Sequence, residues 1–418
     1  MSSTRLKEEA LEGKDKGGAD HNGDGDGDRA KPSPLERFGL SGKSLHIANW
    51  VTVALCIYFL ITAVSVIGDG FKSATGDQAE QLFSFASNPL VALMIGMLAT
   101  ALIQSSSTTT SIVVGLVAGG LPMSIAIPML MGANMGTSLT STLVSLGMVR
   151  DKKSFRGAFA AATTHDMYNL LAVLILFPLE MFTGYLDKTS EWLSTRLSDT
   201  DGGIIATIFG GIGSAISFVT DPLANQVSKL SDLLPPPWGG LLLIVIGVTA
   251  ILFVINLLGD LLKSVLVGRA KEVLHTTLGR GPLSGIVSGT LVTAMVQSSS
   301  TTTSLLVPLA GAGTITLKQV LPFTVGANIG TTITSLLAAF AFSGVDAQPA
   351  LQAALVHMLF NLTAAAIVFL IPGMRRVPTK AADTLAKAGS QNKMWVVAWV
   401  VGMFLVLPSL LIGASLLL

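Results

Sequence analysis

Between Glu80 and Arg150 the chain carries no Asp, Glu, Lys or Arg, and between Arg280 and Asp346 it carries only Lys318. A water-soluble domain cannot cover itself with stretches that long and that free of charge. Such stretches belong in hydrocarbon or in a protein-lined membrane interior. The chain as a whole agrees, since 50% of its residues are hydrophobic and only 12% are charged. That balance excludes an ordinary soluble enzyme. A net charge of +1, with no basic face, offers nucleic acid nothing to hold. The lone Cys56 cannot close an intramolecular disulfide.

Apolar segments near 47–68, 123–148, 157–178, 239–262, 351–371 and 394–418 approach the roughly 20 residues that span hydrocarbon. Segments 89–118 and 282–312 are too long for one plain crossing and are interrupted by polar residues. Residues 203–219 are apolar but glycine-bearing, and their placement stays open. Residues 1–45, rich in Gly, Asp, Lys and Pro, are expected to be disordered and cytoplasmic. The apolar stretch after them reads as a retained spanning helix and not a cleaved leader. Two motifs in this region are decoys. Asp20, Asn22, Asp24 and Gly25 imitate a calcium loop, but Lys31 stands where a bidentate Glu is required. Gly39 to Ser44 imitates the end of a phosphate-binding loop, but Arg37 replaces its first glycine and no strand precedes it.

The chain repeats itself. Gly96 to Ser111, containing Gln-Ser-Ser-Ser-Thr-Thr-Thr, has a near copy at Gly289 to Ser304. Gly132-Ala-Asn-Met-Gly-Thr137 is echoed by Gly326-Ala-Asn-Ile-Gly-Thr331, and His165 and Asn169 by His357 and Asn361. Three blocks in the same order mark a duplicated half. Lys and Arg favour the cytoplasmic side, and their placement flips between the copies. Arg150, Lys152, Lys153 and Arg156 follow the first Gly-Ala-Asn block, while 341–350 carries no Lys or Arg. Residues 69–88 carry one lysine, whereas Arg269, Lys271 and Arg280 lead into the second copy. The pattern predicts an all-α integral membrane protein: an inverted-topology repeat transporter with two re-entrant helical hairpins and discontinuous helices.

The expected organisation runs in five parts. A cytoplasmic tail (1–45) precedes a first transmembrane half (46–178), an extracytoplasmic connector (179–238) and a second half (239–372). A cytoplasmic linker with a C-terminal transmembrane helix (373–418) ends the chain. The C-terminus then lies outside if 203–219 does not cross. A multi-pass protein of the cell membrane, in contact with the lipid bilayer and able to form a homodimer, is the expectation.

The polar breaks carry the chemistry. In each, about 15 apolar residues lead to Gln-Ser-Ser-Ser-Thr-Thr-Thr, and another dozen follow. Broken backbone at membrane depth is tolerated only where protein or a cavity satisfies it. Ser and Thr cap helices, so a second half-helix can start at the break with its free N–H groups and positive dipole end aimed at an anion. The hydroxyls add donors, and amide and hydroxyl oxygens can ligate sodium. The competing reading is close helix packing through small residues. For the Gly-Ala-Asn blocks, an unwound stretch could offer carbonyls together with Asn134 or Asn328 and Thr137, Thr140, Thr331 or Thr334 to sodium. Glycine-mediated helix contact is the alternative. His165 and His357, each four residues before an Asn on one helical face, read as buried hydrogen-bonded structural pairs ahead of a proton relay. Asp166 reads as a cap or partner near a helix end.

With both Gln-Ser-Ser-Ser segments, both Gly-Ala-Asn segments and Phe155 to Asn169 in view, the chain resembles the type II sodium–phosphate cotransporter family from about residue 47 to its end. The resemblance implies sodium-coupled import of inorganic phosphate by alternating access, with sodium as coupling ion, no organic cofactor and no enzymatic step. By position it implies phosphate contacts at Gln104, Ser105, Ser106, Gln297, Ser298 and Ser299, with Ser107, Thr108 and Ser300 beside them. It also implies sodium sites using Gln297, Thr331 and Thr334, and Gln104 in the matching place. Three departures stand out. Residues 179–238 lack the cysteines and glycosylation acceptors of animal members, which points to a bacterial form. Ala327 occupies a position where some members carry Ser. Asp151 sits near an acidic position tied to electrogenic transport, although a solvated loop residue fits equally. Rival readings are a sodium-coupled carrier of a dicarboxylate or sulfate, and an anion channel. A membrane enzyme is disfavoured because neither repeat pairs an acid with a base.

Overall fold

The computed structural model describes residues 33–75, 88–198, 203–277 and 280–417. The calcium-loop imitation and the first 32 residues of the expected disordered tail lie outside them. Residues 33–45 are a correction to that tail. Ser33 caps a 3-10 turn at Pro34–Phe38, with its backbone N–H donated to Glu36 Oε1 at 3.0 Å. Ser33 Oγ donates to Asn49 Oδ1 at 2.7 Å. The reciprocal cap and that bond tie the segment to the first long helix.

That helix is α1, Gly42–Thr75. It is followed by α2 (Pro89–Ile103), α3 (Ser106–Ala118), α4 (Met123–Gly136) and α5 (Leu139–Leu146). Next come α6 (Lys152–Thr183), α7 (Tyr185–Ser198), α8 (Gly203–Ser228) and α9 (Trp238–Thr277). The second half continues with α10 (Pro282–Val296), α11 (Ser299–Ser304), α12 (Leu306–Gly311), α13 (Leu317–Ala339), α14 (Ala347–Leu370) and α15 (Arg376–Gln391). α16 (Met394–Val397) runs through π-helical Ala398–Val406 into α17 (Leu407–Leu417). No strand occurs among the described residues. Among the described residues, six helices are long and apolar enough to cross a membrane: Gly42–Thr75, Lys152–Thr183, Trp238–Leu266, Leu317–Ala339, Gly344–Leu370 and Met394–Ser415.

Two expectations change. The segment 123–148 is not one span but α4 and α5, broken at Thr137 and Ser138. Its counterpart α13 is continuous, so the second Gly-Ala-Asn block is helical throughout, and the first is helical from Gly132 to Gly136 and ends at the break. Their glycines serve close approach instead. A Cβ on Gly132 would sit 1.9 Å from Leu93 O, and one on Gly326 would sit 2.0 Å from Ile286 O. Each block thereby lays its helix directly on the first limb of its own half's hairpin, α4 on α2 and α13 on α10. The low helix propensity of glycine is outweighed by that packing.

The second limbs cross over. α3 packs on α13 and α14 of the other half, while α11 meets α5 and α12 meets α6. α3 is one helix, but its counterpart breaks at Leu305 between α11 and α12. Pro308 explains the break, since it has no N–H for Ser304 O and its ring crowds that carbonyl. Residues 203–219 belong to the helix α8, which lies against α1 and α7. The linker after 373 is also helical, with Pro378, Ala382, Ala386 and Gly389 of α15 buried, and α15 packs on α6.

Candidate functional site

The two Gln-Ser-Ser-Ser breaks have one geometry. Gln104 ends α2 in the left-handed region at φ 61°, and Gln297 ends α10 at φ 53°. They are the only non-glycine residues of positive φ among the described ones. A side chain in that region costs on the order of 1–3 kcal/mol and persists only where its surroundings over-determine it. The next residue turns extended and caps the following helix. Ser105 Oγ accepts the Thr108 N–H at 3.2 Å, and Ser298 Oγ accepts the Thr301 N–H at 3.2 Å. The first N–H groups of α3 and α11, from Ser106 and Ser107 and from Ser299 and Ser300, have no acceptor within the helix by position. Each break is therefore a donor-rich, electropositive helix start.

The glutamines are clamped identically. Gln104 Nε2 donates to Ala101 O at 2.5 Å, and Thr140 Oγ1 donates to Gln104 Oε1 at 2.8 Å. Gln297 Nε2 donates to Ala294 O at 2.7 Å, and Thr334 Oγ1 donates to Gln297 Oε1 at 2.8 Å. The residue after each threonine then reaches across the molecule. Ser141 Oγ and Thr303 Oγ1 are 2.7 Å apart, and Ser335 Oγ donates to Thr110 Oγ1 at 3.0 Å. Residues 140–141 thus hold one break and the arm of the other, as do residues 334–335. This reciprocity ties each half's Thr-Ser pair to the helix that follows the other half's break. Gln104, Ser105, Gln297, Ser298 and Ser300 remain half-buried, while Ser106, Ser107, Thr108 and Ser299 are buried.

Of the residues expected around sodium, Thr140 and Thr334 join the glutamines. Asn134 and Asn328 do not. Asn328 Oδ1 lies 2.7 Å from His165 Nε2, and Asn328 Nδ2 donates to Asn169 Oδ1 at 2.7 Å. Asn169 Nδ2 donates to Asn134 O at 2.7 Å, and Asn361 Nδ2 donates to Asn134 Oδ1 at 3.2 Å. His357 Nδ1 lies 2.8 Å from Ser335 Oγ. A buried polar chain therefore joins the halves, with each histidine ring paired to a residue other than its i+4 asparagine, while Asn361 Nδ2 also donates to the His357 backbone oxygen at 2.9 Å. Thr331 Oγ1 donates to Ala327 O at 3.0 Å, and the Thr137 hydroxyl is buried without a partner among the described residues. No cluster of three His, Cys, Asp or Glu side chains gathers among the described residues.

Ser141 and Ser335 were missed as site residues, although the duplicated Thr-Ser at 140–141 and 334–335 was a usable signal. Trp399 was missed too. Its Nε1 donates to Asp166 Oδ2 at 2.6 Å, and Thr142 Oγ1 reaches the same oxygen at 3.4 Å. Asp166 is thus buried within α6 and not near a helix end. Asp151 is the N-cap of α6 and not a plain loop residue. The Ser154 hydroxyl and the N–H groups of Lys153 and Ser154 all donate to its carboxylate, which holds it below the usual carboxylate range.

Residues 59–195 and 250–407 match the family model described as Na+/Pi-cotransporter. The sodium-dependent phosphate transport protein 2A of Rattus norvegicus is 32% identical, the match covering 86% of this chain and 66% of the relative. The 2A protein of Ovis aries is 31% identical over 93% of this chain and 71% of its own length. The 2B protein of Homo sapiens is 31% identical over 86% and 64%. The chain spans about two thirds of the length of these relatives. No solved structure matches it.

Proposed function

The chain belongs to the Na+/Pi-cotransporter family, and on that premise we propose that it imports inorganic phosphate across a cell membrane, driven by sodium. The observation that carries the proposal is the pair of equivalent helix starts at Ser105 and Ser298, each fronted by a left-handed glutamine. A phosphate between them would meet two positive dipole ends and the hydroxyls of the serine runs. The limbs support a re-entrant reading. α2 and α10 have 15 residues each, about 22 Å of helix at 1.5 Å per residue, less than the roughly 30 Å of hydrocarbon. A break after such a limb falls inside the membrane. The flip of Lys and Arg between halves supports opposite orientations, with the N-terminus cytoplasmic.

Sodium binds at the Gln–Thr pairs in this reading, Gln104 with Thr140 and Gln297 with Thr334, where hard oxygens already converge. Asn134, Asn328, Thr137 and Thr331 form the helices and network behind them. Sodium binding orders the glutamines and offsets the anion's charge, and the loaded carrier then opens to the other side. One surplus positive charge moving through 100 mV supplies about 2.3 kcal/mol, against about 1.4 kcal/mol for a tenfold phosphate gradient. Labelled phosphate uptake into proteoliposomes tests the reading. Uphill, sodium-dependent uptake resistant to excess sulfate or succinate is expected. Uptake unchanged when choline replaces sodium would remove the coupling.

A further inference from the structure

A cavity of about 430 Å³ opens at the foot of the second hairpin, between the starts of α10 and α13, the end of α14 and the start of α15. Its wall is divided by chemistry. Leu321, Phe323 and Phe369 give it an apolar floor, and Lys318, Arg375 and Arg376 give it a cationic rim. Among the described residues, no Asp or Glu lines it. None of the three cations forms a salt bridge among the described residues. The Arg375 guanidinium instead sits 5.8 Å from the Phe369 ring centroid, held over the floor. Lys318 is also the single charge in the long stretch between Arg280 and Asp346, so its position at this rim is not one among many.

We propose that this cavity seats the headgroup of an anionic phospholipid. Three unpaired cations call for an anion, and a planar guanidinium matches phosphate oxygens. An apolar floor beneath them calls for a ligand with a hydrocarbon portion, which a free inorganic anion lacks. The volume accommodates a headgroup and glycerol but not whole acyl chains, so the tails leave toward the bilayer. The position agrees. Phe369 and Leu370 end a span, and the surrounding Lys and Arg place this end on the cytoplasmic side, where anionic lipid attracts basic residues. The seat touches the first limb of one hairpin at Pro282 and Gly285, and the inference stands whatever solute the protein carries.

The test uses the full-length purified protein in detergent with added phosphatidylglycerol, phosphatidylcholine, glycerol 3-phosphate or inorganic phosphate. Native mass spectrometry reads retained lipid, and a thermal melt reads stabilisation. Phosphatidylglycerol is expected to be retained and to raise Tm, with the other three ineffective. Occupancy should fall about fivefold for each cation removed in Lys318→Gln, Arg375→Gln and Arg376→Gln. Arg156→Gln, which removes a basic residue outside the cavity, should leave occupancy unchanged. Equal retention of phosphatidylcholine, or full retention by the triple variant, would overturn the proposal. Stabilisation by glycerol 3-phosphate alone would overturn it in favour of a soluble-anion site. A photoactivatable phosphatidylglycerol needs no variant. Crosslinks should map to 318–323 and 369–379, and their absence there would equally defeat the idea.

Discussion

The hydroxyls of Ser141 and Thr303 lie 2.7 Å apart although they come from opposite halves of the chain, and Ser335 and Thr110 repeat the contact at 3.0 Å. Each serine directly follows the threonine that holds the glutamine of its own half, while the serine itself reaches the arm that follows the other break. The two breaks are therefore fixed to one another and not merely folded alike.

Removing both crossing bonds tests that linkage. In Ser141→Ala with Ser335→Ala, Thr303 and Thr110 still donate to Ser299 O and Ser107 O, so neither is orphaned. The two crossing bonds should cost about 1 kcal/mol each, and Ser335→Ala adds about 1–3 kcal/mol because it also takes away the partner of the buried His357 Nδ1. Phosphate uptake per folded protein should fall by far more than that loss of stability explains, and Ser141→Ala alone, which leaves His357 paired, should lower uptake with little change in Tm. Wild-type uptake in the double variant would show that the crossing is dispensable.

Gln104→Gly and Gln297→Gly separate strain from function. Glycine accepts positive φ freely, which recovers on the order of 1 kcal/mol or more at each break. The lost bonds from Thr140 or Thr334, and to Ala101 or Ala294, cost a similar amount. Tm should hardly move while sodium-dependent uptake collapses. Uptake that survives with normal sodium dependence would remove the glutamines from the proposed cation sites.

Much of this arrangement was legible in the sequence, and the reason differs by level. The duplicated Gln-Ser-Ser-Ser runs announced paired helix starts, because Ser and Thr compete with helical hydrogen bonding and so sit at caps. That Ser105 and Ser298 would cap, with the glutamines taking the left-handed turn, depends on Thr140 and Thr334 arriving from a distant helix. Local pattern carries no record of that partner. The Gly-Ala-Asn blocks misled for the same reason. Two glycines in six residues argue for unwinding until Leu93 O and Ile286 O are seen to need the space.

The space at Gly132 and Gly326 gives a further prediction. Gly132→Ala would set a methyl about 1.9 Å from Leu93 O, and Gly326→Ala one about 2.0 Å from Ile286 O. Backbone must move, so each should cost about 3 kcal/mol or more and abolish a monodisperse peak in size-exclusion chromatography. Gly413→Ala, whose Cβ meets nothing within 4 Å, is the matched control and should behave as wild type.

Asp151 predicts a pH dependence. Its folded-state value is depressed, chiefly by the Ser154 hydroxyl and then by the N–H groups of Lys153 and Ser154. Its contribution to stability is therefore complete above the unfolded carboxylate value. It is lost as pH falls through the lower folded one. Asp151→Asn keeps a capping side chain but cannot titrate. Melts between pH 5 and pH 3 should show wild type losing more Tm than the variant, and parallel curves would contradict the assignment.

The asparagine chain allows the most demanding test, because its members satisfy one another inside the membrane. Asn169→Ala orphans the Asn328 amide and withdraws a donor from Asn134 O. Asn328→Ala orphans the Asn169 carbonyl and the ring nitrogen of His165. Each unsatisfied buried group costs about 1–3 kcal/mol. The double variant removes both ends of the 2.7 Å bond between them and so escapes one penalty already counted in each single variant. Its loss of stability should fall short of the sum by about 1–2 kcal/mol, within the range for residues sharing one network. Melting the four proteins of the cycle in one detergent measures the shortfall. Strict additivity would mean that Asn169 and Asn328 do not sense each other, and the chain would then be a row of separate bonds and not a link between the halves.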